Sequence, residues 1–440
     1  MRHLSKLAVL GAALLLALSA AGGPPQSTVS GPLPAADPYI AAAHRAAPAT
    51  NPPATGRAEH VATKPVIGQP AHSVAALVPG ALRPAVVRHA AGVTAALTPA
   101  QQLAQLTMQQ RVGQLFMVAA TATGADANTM SDLTRFHVGN VYLAGRSHAG
   151  TAATAAVVRR MTATVSAAST GGVRLAVATD QEGGFVQVLS GPGFSTIPTA
   201  LSQGRQTTAA LQANARVWGS QLRAAGLTMN LAPVMDTVPS PQFAPRNAPI
   251  GFFGREYGFT PQAVSAHGGA FAAGMRQAGI APVVKHFPGL GRVVLNTDTS
   301  RNVKDTVTTR TDPYLLPFRT AIQAGTRWVM VSSAYYTRID AARVAPFSPV
   351  IMRTMLRTDL HFTGIVLSDD LCSAQQLGPW SLANRATSFI NAGGTMLLCA
   401  NPRSIPVMYS AVLQLAQHNA AFAAKVNAAA LTVLTVKAGK

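Results

Sequence analysis

Five polar stretches in this 440-residue chain have the residue types for bond-breaking chemistry: Asp180, Asp236, Lys285-His286, Ser332-Ser333 and Asp369. Each follows directly on a short apolar run. Two carboxyl groups facing one substrate are what glycosidic bond cleavage requires, because one captures the oxocarbenium centre while the other protonates the leaving oxygen. Lysine and arginine can donate to sugar hydroxyls or to an anionic substituent. A lysine at a strand end is also the residue for Schiff-base chemistry. Other chemistries lack their residues. Gly183-Gly184 and Gly289-Leu290-Gly291 have neither the spacing nor the lysine of a phosphate-binding loop, no HExxH or close His/Cys cluster offers zinc a site, and no GxSxG elbow marks a serine hydrolase. The expectation is chemistry without a metal or organic cofactor.

Apolar runs at residues 114–118, 140–143, 175–179, 229–234, 282–285, 328–331, 365–368 and 395–399 alternate with helical patterns at 153–168, 208–225, 261–278, 314–324, 348–356 and 404–417. Such alternation predicts βα units and a parallel sheet. An open doubly wound sheet and a (β/α)8 TIM-type barrel both fit the count. The polar stretches favour the barrel, because they lie at the C-terminal ends of predicted strands, which in a barrel converge on the face that carries active sites.

Charged residues make up 11% of the chain and hydrophobic ones 48%, which excludes a charge-driven disordered polypeptide. The apolar run at residues 7–21 is too short to span a bilayer comfortably. With Arg2 and Lys6 ahead of it and Ser19-Ala20-Ala21 at its end, it predicts a signal peptide over residues 1–21 and a mature chain without a transmembrane anchor. Residues 22–99 hold 13 of the 30 prolines and few large apolar side chains, so a disordered Ala/Pro-rich linker is expected there, with the barrel over 100–440. The protein is therefore expected outside the cytoplasm, secreted or cell-wall associated. Its net charge of +20 would suit an anionic wall polymer. The basic residues are scattered and no zinc-finger or RNA-binding signature occurs, so nucleic acid is not an expected partner.

The segments LTMQQRVGQLFMV (106–118), ATDQEGGFVQVL (178–189), LRAAGLTMNLAPVMD (222–236), FGREYG (253–258), KHFPGLG (285–291) and GIVLSDDL (364–371) resemble glycoside hydrolase family 3. The resemblance is nearest to the single-domain bacterial β-N-acetylhexosaminidases. It implies the same (β/α)8 barrel and a retaining hydrolase acting on β-linked, N-acetylglucosaminide-type glycosides such as cell-wall fragments. Asp369 would be the nucleophile that forms a covalent glycosyl intermediate, while Asp180, Arg255, Lys285 and His286 would bind sugar hydroxyls. Asp236 fits either the closing of a turn or the site, Glu182 either a helix cap or the site, and Asp370 either a cap or an acid that supports Asp369 from behind.

The chain also departs from that pattern. Where the family usually runs from KHFPG through HGDT to an Asp-Ser-His triplet with the histidine as acid/base, this sequence reads LGRVVLNTDTS. Counted without a gap, Asn296 takes the place of the aspartate and Asp298 that of the histidine. Asp298 becomes the expected acid/base, since burial or a neighbouring carboxylate can raise a carboxyl pKa to suit the task. For Asp298 to reach Asp369, the loop 290–301 must fold back over the barrel mouth. Phe185 and Val188 stand where the family usually has arginines, and Ser333 where it often has histidine. A glycan-binding protein that keeps the barrel and Asp369 without an acid/base is the alternative. Cys372 and Cys399 lie near the mouth on neighbouring predicted strands in an oxidising compartment, and both a disulfide and two free thiols fit that placement.

Overall fold

The computed structural model describes residues 97–439, so the expected signal peptide and nearly all of the expected linker lie outside the described residues. Two short helices come first, α1 (Pro99–Gln105) and α2 (Met108–Gly113). Each opens with a Thr-x-x-Gln capping box, in which the Thr98 or Thr107 hydroxyl accepts from the backbone of the glutamine three residues on and the threonine backbone donates to that glutamine's side chain in return.

Eight βα units follow. β1 (Phe116–Thr121) leads to α3 (Ala127–Arg135), β2 (Asn140–Ala144) to α4 (Gly150–Thr162), β3 (Ala176–Thr179) to α5 (Thr208–Ala224), and β4 (Met229–Asn230) to α6 (Pro261–Gln277). β5 (Val284–Phe287) leads to α7 (Leu316–Gln323), and β6 (Trp328–Val331) to the π-helix Val350–Asp359. β7 (Ile365–Asp370) leads to α8 (Leu382–Ala392), and β8 (Met396–Cys399) to α9 (Ile405–His418). A last helix, α10 (Ala420–Lys437), ends the fold. All eight predicted strands are present in order.

Seven strands form a continuous parallel sheet in the order β3-β2-β1-β8-β7-β6-β5. β4 closes the ring: Thr228 and Leu231 donate backbone bonds to Val177 and Thr179 on one side, while Met229 and Asn230 pair with Ala281 and Pro282 on the other. β4 is short because Pro233 and Pro282 bring no backbone donors to the ladder. The product is a (β/α)8 barrel. Side chains alternate along each strand. Met117, Ala119, Tyr142, Ala178, Leu231, Met330, Leu367 and Leu398 fill the interior, while Phe116, Val118, Val141, Val329 and Val366 pack under the helices. Burial on both faces is why these strands read as unbroken apolar runs.

α10 is long and apolar enough to cross a membrane by length and composition. In the fold its Val433 joins the barrel-interior cluster, and Lys437 Nζ donates to Gln114 Oε1 at 2.9 Å, Gly139 O at 2.9 Å and Arg174 O at 3.1 Å. Those acceptors sit just before β1, β2 and β3, so α10 closes the end of the barrel opposite the polar mouth. Lys437→Met leaves them without this donor and is expected to lower stability by about 1–3 kcal/mol. Urea unfolding reads this, and an unchanged midpoint would deny Lys437 that role.

Cys372 and Cys399 are joined in a disulfide with a Cα separation of 5.1 Å. The bridge ties the segment after β7 to the end of β8, three residues from Asp369.

Candidate active site

The expected site residues converge on the C-terminal mouth of the barrel, where their contacts make two groups. The first is a four-charge cluster. Asp180 follows β3 directly and the chain turns at once into a hairpin, Gln181–Gly183 against Val186–Gln187. Gly183 and Gly184 turn that hairpin with φ of +112° and +57°, and a Cβ on Gly183 would sit 2.2 Å from Pro198 O, so only glycine fits. Asn230 on β4 clamps the Gln181 backbone with two bonds, which fixes where the hairpin's side chains point.

Lys285 on β5 reaches across the mouth to Asp180 Oδ1 at 2.7 Å and to Glu182 Oε1 at 2.6 Å. Arg255, in the loop after β4, meets Glu182 side-on through two bonds, Nε to Oε2 at 2.9 Å and one terminal nitrogen to Oε1 at 2.7 Å, and donates a third to Pro249 O at 2.7 Å. Glu182 is thus the hub of the cluster. It caps no helix, contrary to the reading that weighed it as one. Burial would raise its carboxyl, but Arg255 and Lys285 outweigh burial and hold it down at about 2. Burial likewise opposes the Lys285 ammonium, yet Asp180 and Glu182 turn the balance and raise its pKa. A lysine kept charged in this way is no nucleophile, which argues against Schiff-base chemistry. Of the three members nearest the cluster's centre, Asp180 is the accessible one, with 27% of its side chain exposed against 3% for Lys285 and 4% for Glu182. Asp180 is therefore the member placed to meet a ligand.

Glu256, next to Arg255 in sequence, takes no part in that cluster. It is fully buried, neither carboxyl oxygen has a hydrogen-bond partner among the described residues, and burial pushes its pKa up to about 7.

The second group is an Asp–His pair. Asp236 is fully buried and accepts from His286 Nδ1 at 2.7 Å, from the His286 backbone at 3.1 Å and from the Leu290 backbone at 2.8 Å. Its role is to orient the imidazole, with Nδ1 as donor and Nε2 turned away from the aspartate. Ser332 Oγ and Tyr336 hydroxyl share a bond of 2.8 Å, and Tyr336 donates to Gly289 O, so β6 supports the same loop. Ser333 is buried beside them.

Asp369 stands half-buried near the end of β7, its Oδ1 accepting from the Asp370 backbone at 2.9 Å. Asp370 accepts from the backbones of Cys372, Ser373 and Ala400, so it closes the turn after β7 rather than capping a helix, and it fastens the β7 and β8 ends together. The loop 290–301 does fold toward this sector. Asn247 holds its start through Leu290 O and Val293 O, and Arg292 pairs with Asp312 at 2.7 Å. Further along, Gln376 and Gln375, which follow β7, donate backbone bonds to Thr297 O and Asp298 O at 3.0 and 3.1 Å. Asp298 is half-buried there, its backbone N–H on Asn296 Oδ1.

Sequence reasoning placed Asp180, Arg255, Lys285, His286, Asp298 and Asp369 on this face and missed the pairing role of Glu182. A signal was present: Glu182 lies two residues from Asp180 in an extended segment, so the two side chains share a face.

A closed parallel barrel with carboxylates, a paired lysine and arginine, and an oriented histidine at its mouth has the architecture of a glycosidase. Residues 107–436 match the Glycosyl hydrolase family 3 N terminal domain, and the chain belongs to that family of glycoside hydrolases. It is similar to the crystal structure of a β-N-acetylhexosaminidase from Beutenbergia cavernae DSM 12333, with 51% identity and a TM-score of 0.75 over 76% of this chain and 99% of that one. A β-hexosaminidase of Methylococcus capsulatus is 35% identical over 233 residues, 51% of this chain and 66% of that protein. The β-hexosaminidase LpqI of Mycobacterium tuberculosis is 29% identical over 326 residues, 72% of this chain and 77% of its own.

Proposed function

We propose that the protein is an exported, retaining β-N-acetylhexosaminidase acting on glycans of the cell-wall type. The observation that carries the catalytic part is the docking of loop 290–301 on the segment after β7, which brings the backbones of Asp298 and Asp369 into one sector of the mouth. The names of the relatives support the N-acetylated substrate, and the signal-like residues 1–21 support export.

In this reading the Asp369 carboxylate attacks the anomeric carbon as the C–O bond breaks, and Asp298 passes its proton to the leaving oxygen. Asp298, now a carboxylate, takes a proton from water, whose oxygen displaces Asp369 and restores both groups. Asp180 and His286 hold sugar hydroxyls, and Lys285 holds Asp180 in place. Release of nitrophenol from aryl β-N-acetylglucosaminide, β-glucoside and β-xyloside tests the substrate class, with the first expected to be the best. Turnover without added metal, unaffected by chelator, is expected as well.

Asp298→Ala separates this reading from a glycan-binding protein that has lost its acid/base. The substitution is expected to lower kcat by about 10²–10⁴-fold on alkyl or sugar leaving groups, far less on nitrophenyl ones, and azide is expected to restore part of the loss. Equal loss on both substrate types, or none, removes Asp298 from the mechanism. Absence of any turnover by the unsubstituted protein favours the binding protein. Export is checked by fractionating cultures, where finding the protein in the cytoplasm alone rejects it.

A further inference from the structure

Arginines that lie scattered along the sequence gather at one end of the fold. Helices in a (β/α)8 barrel run opposite to its strands, so the last turns of α3, α4, α5 and α6 come together at the end away from the catalytic mouth. Arg135 ends α3, Arg159 and Arg160 stand in the last turn of α4, and Arg223 and Arg276 in those of α5 and α6. Arg174 joins them from the loop before β3, where its carbonyl accepts from Lys437 Nζ of α10. Arg223 reaches from α5 to Ala278 O, just past the end of α6. All six side chains are exposed, and none forms an ion pair among the described residues.

Acidic residues are missing from the same sector. α4, α5 and α6 contain no aspartate or glutamate, and from residue 133 to 297 the only acids are Asp180, Glu182, Asp236 and Glu256, all on the mouth side. The helix dipole favours a cation near each C-terminus. It explains neither Arg174, which is on no helix, nor the loss of carboxylates over three successive βα units. Neighbouring helix axes stand about 8–10 Å apart, close to the Debye length of about 8 Å at physiological salt, so the fields of adjacent arginines overlap. A partner with repeated negative charges is therefore attracted by several at once. Guanidinium groups match the paired oxygens of phosphate. The four last turns carry no exposed large apolar side chain with which to enter a lipid surface, and no aromatic ring on which a nucleic-acid base could stack.

We infer that this end of the barrel binds a phosphodiester-linked polymer of the cell envelope, with Arg159, Arg160, Arg174, Arg223 and Arg276 on its phosphates. Because the arginines and the mouth lie at opposite ends, the docked barrel keeps its mouth free for glycan. The inference rests on the export reading and adds what the exported barrel docks on.

The test is co-sedimentation of the purified full chain with isolated bacterial walls that carry such a polymer, and with the same walls stripped of it by hydrofluoric acid. Stripping, or raising the salt from about 50 to about 300 mM, is expected to weaken binding about tenfold or more. The combined variant Arg159→Gln, Arg160→Gln, Arg223→Gln and Arg276→Gln is expected to show a similar loss, with thermal unfolding near that of the native chain and nitrophenyl glycoside turnover within about twofold of it. A control removes as many charges from loops on the mouth side, Arg205→Gln, Arg338→Gln, Arg343→Gln and Arg403→Gln, and is expected to cost less than about threefold. Equal loss in the two variants, or none in the first, overturns the located surface, since net charge or something else then holds the protein. Failure to bind unstripped walls, or binding that survives stripping, overturns the polymer as partner. Tighter binding to phosphatidylglycerol vesicles or to duplex DNA than to walls does so too. Sedimentation uses purified protein, so its outcome is separate from export, which culture fractionation decides.

Discussion

Asp369→Ala is expected to abolish turnover of every glycoside, with kcat falling by about 10⁴-fold or more on activated and unactivated leaving groups alike. The breadth of the loss is the diagnostic part. An acid/base contributes in proportion to how poor the leaving group is, whereas a nucleophile is needed for each substrate because no covalent intermediate forms without it. The fold should tolerate the change. Asp369 is half-buried and its one described bond is to its neighbour's backbone, while Asp370 carries the three backbone bonds that fasten the β7 and β8 ends. Thermal unfolding of the variant should stay near that of the native chain, and a nucleophile analogue such as a 2-fluoro glycoside should label the native chain at this residue only. A variant that keeps a measurable share of turnover, or label found elsewhere, would transfer the nucleophile to another side chain.

The largest loss of stability is expected at Glu182. The cluster balances two cations, Lys285 and Arg255, with two carboxylates, Asp180 and Glu182, and Glu182 touches both cations. Glu182→Gln leaves that buried group with one uncompensated positive charge, and breaking a buried ion pair from one side costs about 3–5 kcal/mol. The sign of its pH dependence follows from the depressed pKa. With a folded value of about 2, below the ordinary glutamate value of 4.5, the carboxylate stabilises the fold above its unfolded pKa and loses that contribution as pH falls toward 2. The gap in unfolding free energy between native chain and variant should therefore be full at pH 7 and shrink steadily below about pH 4.5. A gap that does not change across that range would mean that packing, not charge, accounts for it. KM should rise as well, since Lys285, which holds Asp180, loses one of its two carboxylate partners.

Much of the architecture was legible because it rests on short-range regularities. Strands buried on both faces must be continuous apolar runs, so all eight were visible, and α5 and α6 were read to within a residue because Thr207 and Thr260 cap them locally. The short β4 was overestimated, since prolines that are compatible with an apolar run still remove ladder donors. The polar residues after the strands marked the mouth, and the LGRVVLNTDTS segment revealed by its own letters that the acid/base position is altered.

The sequence by itself determined which residues lie at the strand ends and on which face they emerge, because strand alternation and barrel handedness leave them no other place. Which of them touch was decided only by closure of the barrel. Glu182 meets Arg255 across 73 positions and Lys285 reaches Asp180 across 105, and the joining of Cys372 to Cys399 and the docking of Asp298 beside the β7 loop are contacts of the same kind. No local pattern specifies such pairs. The folded barrel fixes the distances between its loops, and buried charges then settle on whichever opposite charge stands within reach, since leaving one unpaired costs several kcal/mol.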